Sequence, residues 1–490
     1  AYGHRLADVH FAGFAPAFPL SFHDRKYARK PPVPIASVVV RNYPLNAGDI
    51  DLNSYALYIV IKNINRIHEE IMKFEEWIKN KHIPFKPNGL NGNYDDFKPL
   101  SKIIENTRVV AIGENSHFIK EFFLLRHNLL QFFIEELGFT TFAFEFGFAE
   151  SQFINNWIHG QGAEDEISKY LTHFYYPKEL IYTFHWLREY NRVAKNKITF
   201  LGIDIPRNGG SYFPNIEIVY DFFKTADKEA LHIIDNAINI AKKIDYFSTS
   251  QAALKLHELT DSEKYQLTYQ IARAKVRLEA MAPFHIEKYG KKKYETILHL
   301  INGIEYLDYN IQAMNGFISG FGLQGDMGAK DKYMADSVLW HLNNLDMEHK
   351  IIVVAHNAHI QKTPILYDGF LSCLPMGQRL KDAIGADYMS LGITSYIGNT
   401  AALYPEADTK YGFRVDNFQL LQPIEGSIEK ALHDCGITNS FVSFKSIPEN
   451  VKPLPNMIRF DSIYMETILE KAFDGIFQIE KSTVSEVIYD

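Results

Sequence analysis

The spacing of hydrophobic residues between positions 107 and 146 predicts a strand, a helix and a second strand. Two short runs rich in β-branched and aromatic residues, Val109–Ile112 and Thr140–Phe146, flank a stretch in which apolar residues recur every three or four positions. Strand–helix–strand units of this kind build parallel sheets. Glu114 follows the first run almost at once, and Glu145 lies near the end of the second. The pattern therefore predicts two carboxylates at the carboxyl ends of two strands.

Two later hydrophobic runs predict further strands of the same sheet, and each ends on an ionisable residue. One run ends on Asp204 and the other on His356, while His117 and His359 follow close behind two of the four predicted strands. Ligands of open α/β sheets bind outside the carboxyl ends of the strands. We therefore expect one edge of the sheet to form an active site.

Residues 215–317 contain only helical spacing, which predicts an inserted all-helical lobe. A glycine-rich link over 316–328 ends this region, and a helix over Asp331–Leu345 leads to the strand before His356. The predicted divisions are an N-terminal extension over 1–68, irregular and then helical, and a main domain over 69–490 that consists of an α/β core (97–224 and 331–490) and the helical lobe (225–330).

The remaining pattern predicts few other regular elements. Helical spacing runs from Tyr55 to Ile78, and short strands are predicted over Ala36–Val40, Tyr388–Ile393, Ser440–Phe444 and Met457–Phe460. The fold class that follows is α/β. We expect a mainly parallel sheet flanked by helices, with the helical lobe covering a cleft at the carboxyl ends of the strands.

Composition and charge limit the classes of function. The chain has 490 residues, of which 46% are hydrophobic and 22% charged, and its net charge is −8. Because it has no basic stripe, it is not predicted to bind nucleic acid. Cys373 and Cys435 are the only cysteines, which excludes a disulfide framework and a cysteine-rich metal site. No apolar run is long enough to cross a membrane, so neither a transmembrane helix nor a membrane partner is expected. The expected compartment is the cytoplasm. The oligomeric state is not set by the sequence.

Histidine beside carboxylates is an arrangement suited to general acid–base catalysis. A neutral imidazole with a pKa of about 6.5 takes a proton from water at neutral pH. A carboxylate on its other nitrogen fixes the tautomer and stabilises the imidazolium that forms. This pattern favours hydrolysis of an ester or lactone by a histidine-activated water.

Three competing motifs are absent. A serine hydrolase needs G-x-S-x-G at a strand–helix turn, and the nearest string, Gly316 to Gly320, has the wrong spacing and lies between predicted helices. The zinc motif H-E-x-x-H is missing. The glycine-rich stretch from Gly322 to Lys330 does not have the spacing of a P-loop, and no strand precedes it.

Three motifs at the strand ends and one arginine are specific in their combined spacing. They are Gly113-Glu114-x-Ser116-His117, Arg126 nine residues later, Phe-Ala-Phe-Glu145, and His356-Asn-Ala-His359. They occur with FEEWIKNKHIPF, Trp186-Leu-Arg-Glu-Tyr-Asn, Leu201-Gly-Ile-Asp204 and Met376-Gly-Gln-Arg-Leu. In these segments the chain resembles the erythromycin esterase family. The resemblance covers roughly Phe74 to Asp490 and leaves the first 70 or so residues outside it.

The resemblance implies an antibiotic-resistance hydrolase that opens the lactone ring of a macrolide with a histidine-activated water and without a required metal or other cofactor. The implied catalytic residues are His117, Glu114, Glu145, His356, His359 and Arg126. His117 would be the general base, and Glu114 would orient the base or the water. Glu145 and His356 would complete the charged floor of a deep cleft, with His359 and Arg126 as further essential polar groups. The helical segment near 225–320 would help to close that cleft. Family membership alone does not set the substrate.

Three further residues are expected to bind or surround the substrate: Phe118, Glu121 and Asp204. Phe118 stands where many relatives have glycine, and its ring is expected to reshape the mouth of the cleft. Glu121 comes four residues after His117, so we expect it to share the helical face of His117 and to support it.

The spacing between His117 and Arg126 raises a geometric question. Nine residues on an ideal helix correspond to about 180°, so the two side chains would face opposite ways. Either His117 precedes the first helical turn, or Arg126 has another role, such as pairing with Glu145.

Two alternatives to the metal-independent esterase stay open. A divalent metal held by Glu114, His117, His356 and His359 would activate the water in a hydrolase of another ester or lactone. A relative without catalysis would use the same cleft to bind a macrolide or glycan.

Overall fold

The computed structural model describes residues 71–490, except 88, 91–93, 105, 172–175, 345–348, 368–369, 407–408, 410–412, 446 and 489–490. The predicted extension over 1–68, with its short strand Ala36–Val40 and most of the helix predicted from Tyr55, lies outside the described residues. Among the described helices, none has both the length and the apolar character that a membrane span requires.

A mainly parallel sheet forms the centre of the protein. The described strands are β1 His82–Pro84, β2 Val109–Ile112, β3 Thr141–Gly147, β4 Tyr176–Pro177, β5 Thr199–Asp204, β6 Ile351–Val354, β7 Ile365–Tyr367, β8 Phe370–Cys373, β9 Tyr388–Pro405, β10 Phe413–Gln419, β11 Ser440–Ser443, β12 Met457–Phe460, β13 Ile463–Glu466, β14 Gly475–Ser482 and β15 Val487–Ile488. The order in the large sheet is β1-β11-β14-β9-β2-β6-β3-β5, and β10 pairs with β9. The strands from β14 to β5 are parallel, whereas β1, β10 and β11 pair antiparallel.

Helices lie against this sheet and form a separate helical region. The described α-helices are α1 Phe74–Ile78, α2 Ser101–Ile104, α3 Lys120–Glu135, α4 Ser151–Ile158, α5 Ile167–Tyr170, α6 Lys178–Val193, α7 Phe213–Ala226, α8 Leu231–Ala241, α9 Thr249–Leu254, α10 Asp261–Ala280, α11 Ala282–Tyr289, α12 Lys291–Ile318, α13 Gly328–Asn344, α14 Asn357–Ile360, α15 Met376–Ile384, α16 Ile428–Asp434 and α17 Leu469–Ala472.

The central strands are apolar on both faces because helices cover both sides of the sheet. In β2, Val110 and Ile112 belong to one hydrophobic cluster with residues of α3, whereas Val109 and Ala111 belong to a second cluster with residues of α13. Parallel strands buried on both faces appear in a sequence as continuous hydrophobic runs. The predicted α/β class with a mainly parallel sheet is therefore confirmed.

The order of the strands brings the four predicted strand ends into one row. β6 lies between β2 and β3, and β5 lies next to β3. As a result, the residues along this edge follow the order Glu114, His356, Glu145 and Asp204. β6, the last of these four strands along the chain, thus supplies the histidine between the first two carboxylates.

The helix predicted through Ile71 does not run continuously into α1. Met72 forms a parallel bridge with Val451, and α1 begins only at Phe74. Tertiary pairing with a distant segment outweighs local helical spacing here, because intrinsic helix propensity is worth well under about 1 kcal/mol for most residues.

Later elements also differ from the prediction. The strand predicted over Tyr388–Ile393 continues as β9 to Pro405, because β10 extends its pairing. β12 has the predicted bounds but pairs only with β13, in a small sheet of its own. β14 was not predicted. The glycine-rich link is shorter than 316–328, since α12 ends at Ile318 and α13 begins at Gly328.

The helices from α7 to α12 share a third hydrophobic cluster. It joins residues of α7 and α12, such as Ile216 and Leu300, to Ile205 and Tyr333 from the sheet side. No strand is described between β5 and β6, in agreement with the helical spacing of the sequence. The division of the chain into domains at 225 and 330 stays a prediction.

A bulge in β3 places Glu145. Phe144 pairs with Gly202 and Gly147 with Asp204, so β3 has one residue more than β5 between these pairs. A bulge of this kind changes the direction of a side chain next to a site. A Cβ on Gly202 would lie 2.3 Å from the carbonyl oxygen of Gly147, so the bulge requires glycine at this position.

We expect Gly202→Ala to destabilise the fold, because the added methyl group meets backbone that cannot move away. The free energy of unfolding in urea should fall by about 1 to 3 kcal/mol, the usual cost of overpacking. Gly316→Ala is the control: it lies in α12 with its nearest contact at 3.9 Å, and alanine should leave stability unchanged or raise it slightly. Equal stability of the two variants would contradict this role of Gly202.

Candidate active site

The buried carboxylate of Glu114 binds two of the predicted site residues. Its Oε1 lies 2.7 Å from Nδ1 of His117, and its Oε2 accepts a hydrogen bond of 2.6 Å from Nη1 of Arg126. The same guanidinium donates from Nε to the carbonyl of Gly113 and from Nη2 to the carbonyl of Ala355. Arg126 therefore ties the ends of β2 and β6 together. The suggested pairing of Arg126 with Glu145 is wrong.

His117 precedes the helix that contains Arg126, although the two residues are only nine positions apart. His117 lies in the turn between β2 and α3, which begins only at Lys120, whereas Arg126 lies within that helix. The two side chains are thus not on opposite faces of one helix. Both reach Glu114, which sits between them.

The contact with Glu114 prepares His117 to act as a base. A carboxylate accepts hydrogen bonds, so the proton of the neutral imidazole sits on Nδ1 and leaves Nε2 available. Burial would lower the pKa of His117, but the hydrogen bond and charge of Glu114, with smaller effects from Glu145 and Asp461, raise it. The His117 side chain keeps 19% of its surface exposed, so water can reach it.

A second charged cluster surrounds Glu145. Lys330 lies 2.9 Å from Oε1 of Glu145 and 3.0 Å from Oδ2 of Asp204. Burial would raise the pKa of Glu145, but the charges of Lys330 and His359 outweigh it and hold that pKa well below its usual range. Glu145 is therefore ionised at neutral pH.

His359 is the cation on the other side of Glu145. Its Nδ1 lies 2.8 Å from Oδ1 of Asp331, and its Nε2 lies 3.4 Å from Oε1 of Glu145. Burial opposes protonation, but Asp331 and Glu145 raise the pKa of His359 to about 10. Held between two carboxylates, His359 carries a proton at neutral pH and cannot serve as a base.

His356 is held in the neutral state. Its Nδ1 accepts a hydrogen bond from the backbone N–H of Ala358, as the N-cap of α14, which places the proton on Nε2. Burial, and then the charges of His117 and His359, hold the pKa of His356 well below its usual range. Its ring centroid lies 5.2 Å from that of His117. A neutral N–H donor thus stands beside the base.

The three histidines therefore have three different protonation roles. His117 can accept a proton at Nε2, His356 can donate a hydrogen bond from Nε2, and His359 is a fixed positive charge. Environments that push the pKa values of neighbouring groups apart are characteristic of acid–base catalysis.

Two of the residues expected near the substrate have other contacts. The carboxylate of Glu121 accepts hydrogen bonds of 2.7 Å from the backbone N–H and the hydroxyl of Thr483, so it anchors the end of β14 instead of supporting His117. Phe118 is buried in a small cluster with Ala401 and Leu403 rather than standing at the mouth of a cleft. Its φ of 61° turns the chain directly after His117.

Asp204 also differs from the expectation of a substrate contact. It has no exposed surface, its Oδ1 accepts from the backbone N–H of Ile205, and its partner is Lys330. No route to the substrate is open to its side chain in this conformation.

Lys330 and Asp331 were missed by sequence reasoning. They begin the buried side of α13, far from the strand ends in sequence, and only the fold brings them to Glu145 and His359. The available signal was an adjacent Lys–Asp pair on a helix that leads into a site strand. Such pairs are common on solvated helices, so this signal is weak.

A metal site is not formed by the described residues. Among them, no group of three or more histidine, cysteine, aspartate and glutamate side chains has the arrangement of a metal site. Both oxygens of Glu114 are engaged by His117 and Arg126, and Nδ1 of His356 accepts a backbone hydrogen bond.

We expect Lys330→Met to be strongly destabilising, because it leaves Glu145 and Asp204 buried without their shared cation. The loss should be about 3 to 5 kcal/mol in urea unfolding. Lys332→Met is the control on the same helix, since Lys332 is partly exposed and pairs with Asp336. Its cost should stay within about 1 kcal/mol. A similar small cost for both variants would show that Lys330 does not hold the cluster.

Comparisons with known proteins show which family the chain belongs to. The family model described as "Erythromycin esterase" matches residues 134–482, well over half of the chain. The chain is 80% identical over 419 residues to "Erythromycin esterase type II" of Escherichia coli, covering 86% of this chain and 100% of that protein.

Two more distant matches also cover most of the chain. "Erythromycin esterase type I" of Escherichia coli is 28% identical over 390 residues, which cover 78% of this chain and 93% of that protein. The structure of a mutant of the erythromycin esterase EreC in its open conformation superimposes with a TM-score of 0.76 at 24% identity, over 84% of this chain and 99% of that one. This last likeness supports the fold. Together, the family model and the 80% identical relative establish that this chain belongs to the erythromycin esterase family of ester hydrolases.

Proposed function

We propose that the protein hydrolyses the lactone ester of a macrolide antibiotic with a water activated by His117. The observation that carries this proposal is the contact between Nδ1 of His117 and the Arg126-bound carboxylate of Glu114, which leaves Nε2 free to take a proton. The name of the 80% identical relative supports erythromycin or a similar macrolide as the substrate.

The first step is attack by water on the lactone carbonyl carbon. Nε2 of His117 takes a proton from the water as its oxygen forms a bond to that carbon. The imidazolium that results lies against the negative charge of Glu114, which lowers the free energy of this charged state. Arg126 keeps that carboxylate in place.

The second step is collapse of the tetrahedral intermediate. Its oxyanion accepts a hydrogen bond from Nε2–H of His356, which is neutral and close to His117. The bond between the carbonyl carbon and the ring oxygen then breaks, and His117 returns its proton to that oxygen. The product is the open-chain hydroxy acid, which contains one water more than the macrolide.

The charged cluster around Glu145 contacts the backbone of His356 and helps to position it. Oε2 of Glu145 accepts from the backbone N–H of His356 at 3.2 Å, while Lys330 and His359 hold Glu145 in the ionised state. Glu145 and its cations thus position the donor, and the negative charge of Glu145 favours the imidazolium of His117 in the first step. Metal is not needed for any of these proton transfers.

The proposal also covers the partners and the location of the protein. The substrate is a small molecule, and no nucleic acid or membrane partner takes part. The protein acts in the cytoplasm, where cell fractionation would find it. Activity measured on a panel of macrolides would show which ring size and which sugar substituents the enzyme prefers.

We expect His117→Asn to abolish turnover while the protein stays folded, because asparagine can still donate to Glu114 but cannot act as a base. Mass spectrometry of metal-stripped protein with 14- and 16-membered macrolides should show a gain of one water for the natural chain. The rate should fall about 100- to 10,000-fold in the variant. His257→Asn, at an exposed position of the helical region, is the control.

Two outcomes would contradict the proposal. Substantial activity of His117→Asn at neutral pH would remove His117 as the base. Activity that disappears with chelator and returns with a divalent ion would favour the metal-dependent alternative.

We also expect the rate to depend on pH with a defined sign. His117 acts only when neutral, so kcat/KM should fall as the pH falls through the pKa of His117. Because Glu114 raises that pKa, the midpoint should lie above the ordinary value of about 6.5. A pH–rate profile of kcat/KM measures this directly. A flat profile between pH 5 and 8, or a midpoint below the ordinary value, would contradict the role of Glu114.

A further inference from the structure

The β12–β13 hairpin contacts both histidine loops of the site. The ring of Phe460, the last residue of β12, packs edge-on against the ring of His356 with centroids 4.9 Å apart. The next residue, Asp461, donates its backbone N–H to the carbonyl of Asn115 at 2.6 Å. Asn115 lies two residues before His117. One turn of this hairpin therefore touches the loop after β2 and the loop after β6.

The hairpin is firmly anchored on its other side. Arg459 is fully buried, and its guanidinium donates to the carbonyls of Ser395, Tyr396 and Leu421. Its backbone N–H donates to Glu429 at 2.9 Å. A side chain on this turn is thus held in position by packing and hydrogen bonds, as a preorganised site requires.

Asp461 places a buried carboxyl group beside His117. The residue is 5% exposed, and neither carboxylate oxygen makes a hydrogen bond of good geometry with the described residues. Burial raises the pKa of Asp461 to about 7, while His117 and Ser116 favour its ionised form and Glu114 opposes it. A buried acid without a firm partner is costly and needs an explanation.

We propose that Asp461 is a positioning residue for His117: it holds the His117 loop through Asn115 and supplies a second negative charge beside the imidazole. This role rests on the proposed function of His117 as the base. When His117 takes a proton from water, Asp461 in its ionised form, which is present at and above neutral pH, stabilises the imidazolium together with Glu114. The proton returns to the leaving oxygen, so Asp461 itself ends the cycle unchanged.

The charges around His117 and Asp461 determine whether removing the charge of Asp461 raises or lowers the pKa of His117. The titratable groups that act on His117 and Asp461 are Glu114, Glu145 and His356. Asp461 adds to the effect of Glu114 and Glu145 in raising the pKa of His117. Removing the charge of Asp461 should therefore lower the pKa of His117. The positive charge of Arg126 stays balanced by its ion pair with Glu114.

The test is Asp461→Asn, with Glu466→Gln as the control. Asparagine adopts the φ of 51° seen at Asp461 about as readily as aspartate and removes only the charge. Glu466 is an exposed carboxylate on the same hairpin. Asp461→Gly removes the same charge without backbone strain and replaces the asparagine variant if that variant does not fold.

We expect Asp461→Asn to move the acid limb of the kcat/KM profile to lower pH by about one unit, the effect of one nearby charge. At neutral pH, kcat should fall by up to about tenfold, since one unit of pKa corresponds to that factor. KM should not change, and Glu466→Gln should match the natural chain. An unchanged profile with unchanged kcat would overturn the proposal.

A second measurement separates this proposal from the proposed function. The pKa of His117 can be followed by NMR on protein labelled at the histidine Cε1 position, without any substrate. If the natural chain hydrolyses no macrolide, the proposed substrate is wrong, yet a lower pKa of His117 in Asp461→Asn still supports the role of Asp461. An equal pKa in both proteins overturns it whatever the substrate is.

Discussion

The site depends on one buried carboxylate that is shared between a cation and a base. Glu114 is 4% exposed, and an unpaired charge at such a position would cost several kcal/mol. Arg126 balances that charge and also binds carbonyls at the ends of two neighbouring strands. Glu114 therefore contacts His117 and Arg126 together, and Arg126 also fixes where β2 ends relative to β6.

The rest of the charged edge follows the same rule that buried charges are paired. Lys330 stands between Glu145 and Asp204, and His359 stands between Glu145 and Asp331. His356 lies between these two groups of charges and is kept neutral. The edge of the sheet thus offers a base, a neutral donor and fixed charges at positions set by the strand ends and by buried hydrogen bonds. Such preorganisation is the main source of electrostatic stabilisation in enzymes.

The sequence predicted the parts of the structure that are encoded locally. The four buried strands are continuous hydrophobic runs, and the charged residues Glu114, Glu145, Asp204 and His356 lie at or close to their carboxyl ends. The contacts of Arg126 and Glu121 were harder to predict, because spacing on a helix shows which way a side chain points but not which residue it contacts. Arg126 reaches Glu114, and Glu121 reaches Thr483, which directly follows a strand that was not predicted. Lys330 and Asp461 join the site only through tertiary packing, which no local pattern reveals.

The most direct test of this account is the pKa of His117 in the natural chain and in Glu114→Gln, followed by NMR of the labelled imidazole. Glutamine keeps the size of the side chain but removes the charge that favours the imidazolium. The account predicts a pKa of His117 above its ordinary value in the natural chain and a fall of more than about one unit in the variant. An equal pKa in the two proteins would contradict the claim that the Arg126-bound carboxylate of Glu114 prepares His117 as the base.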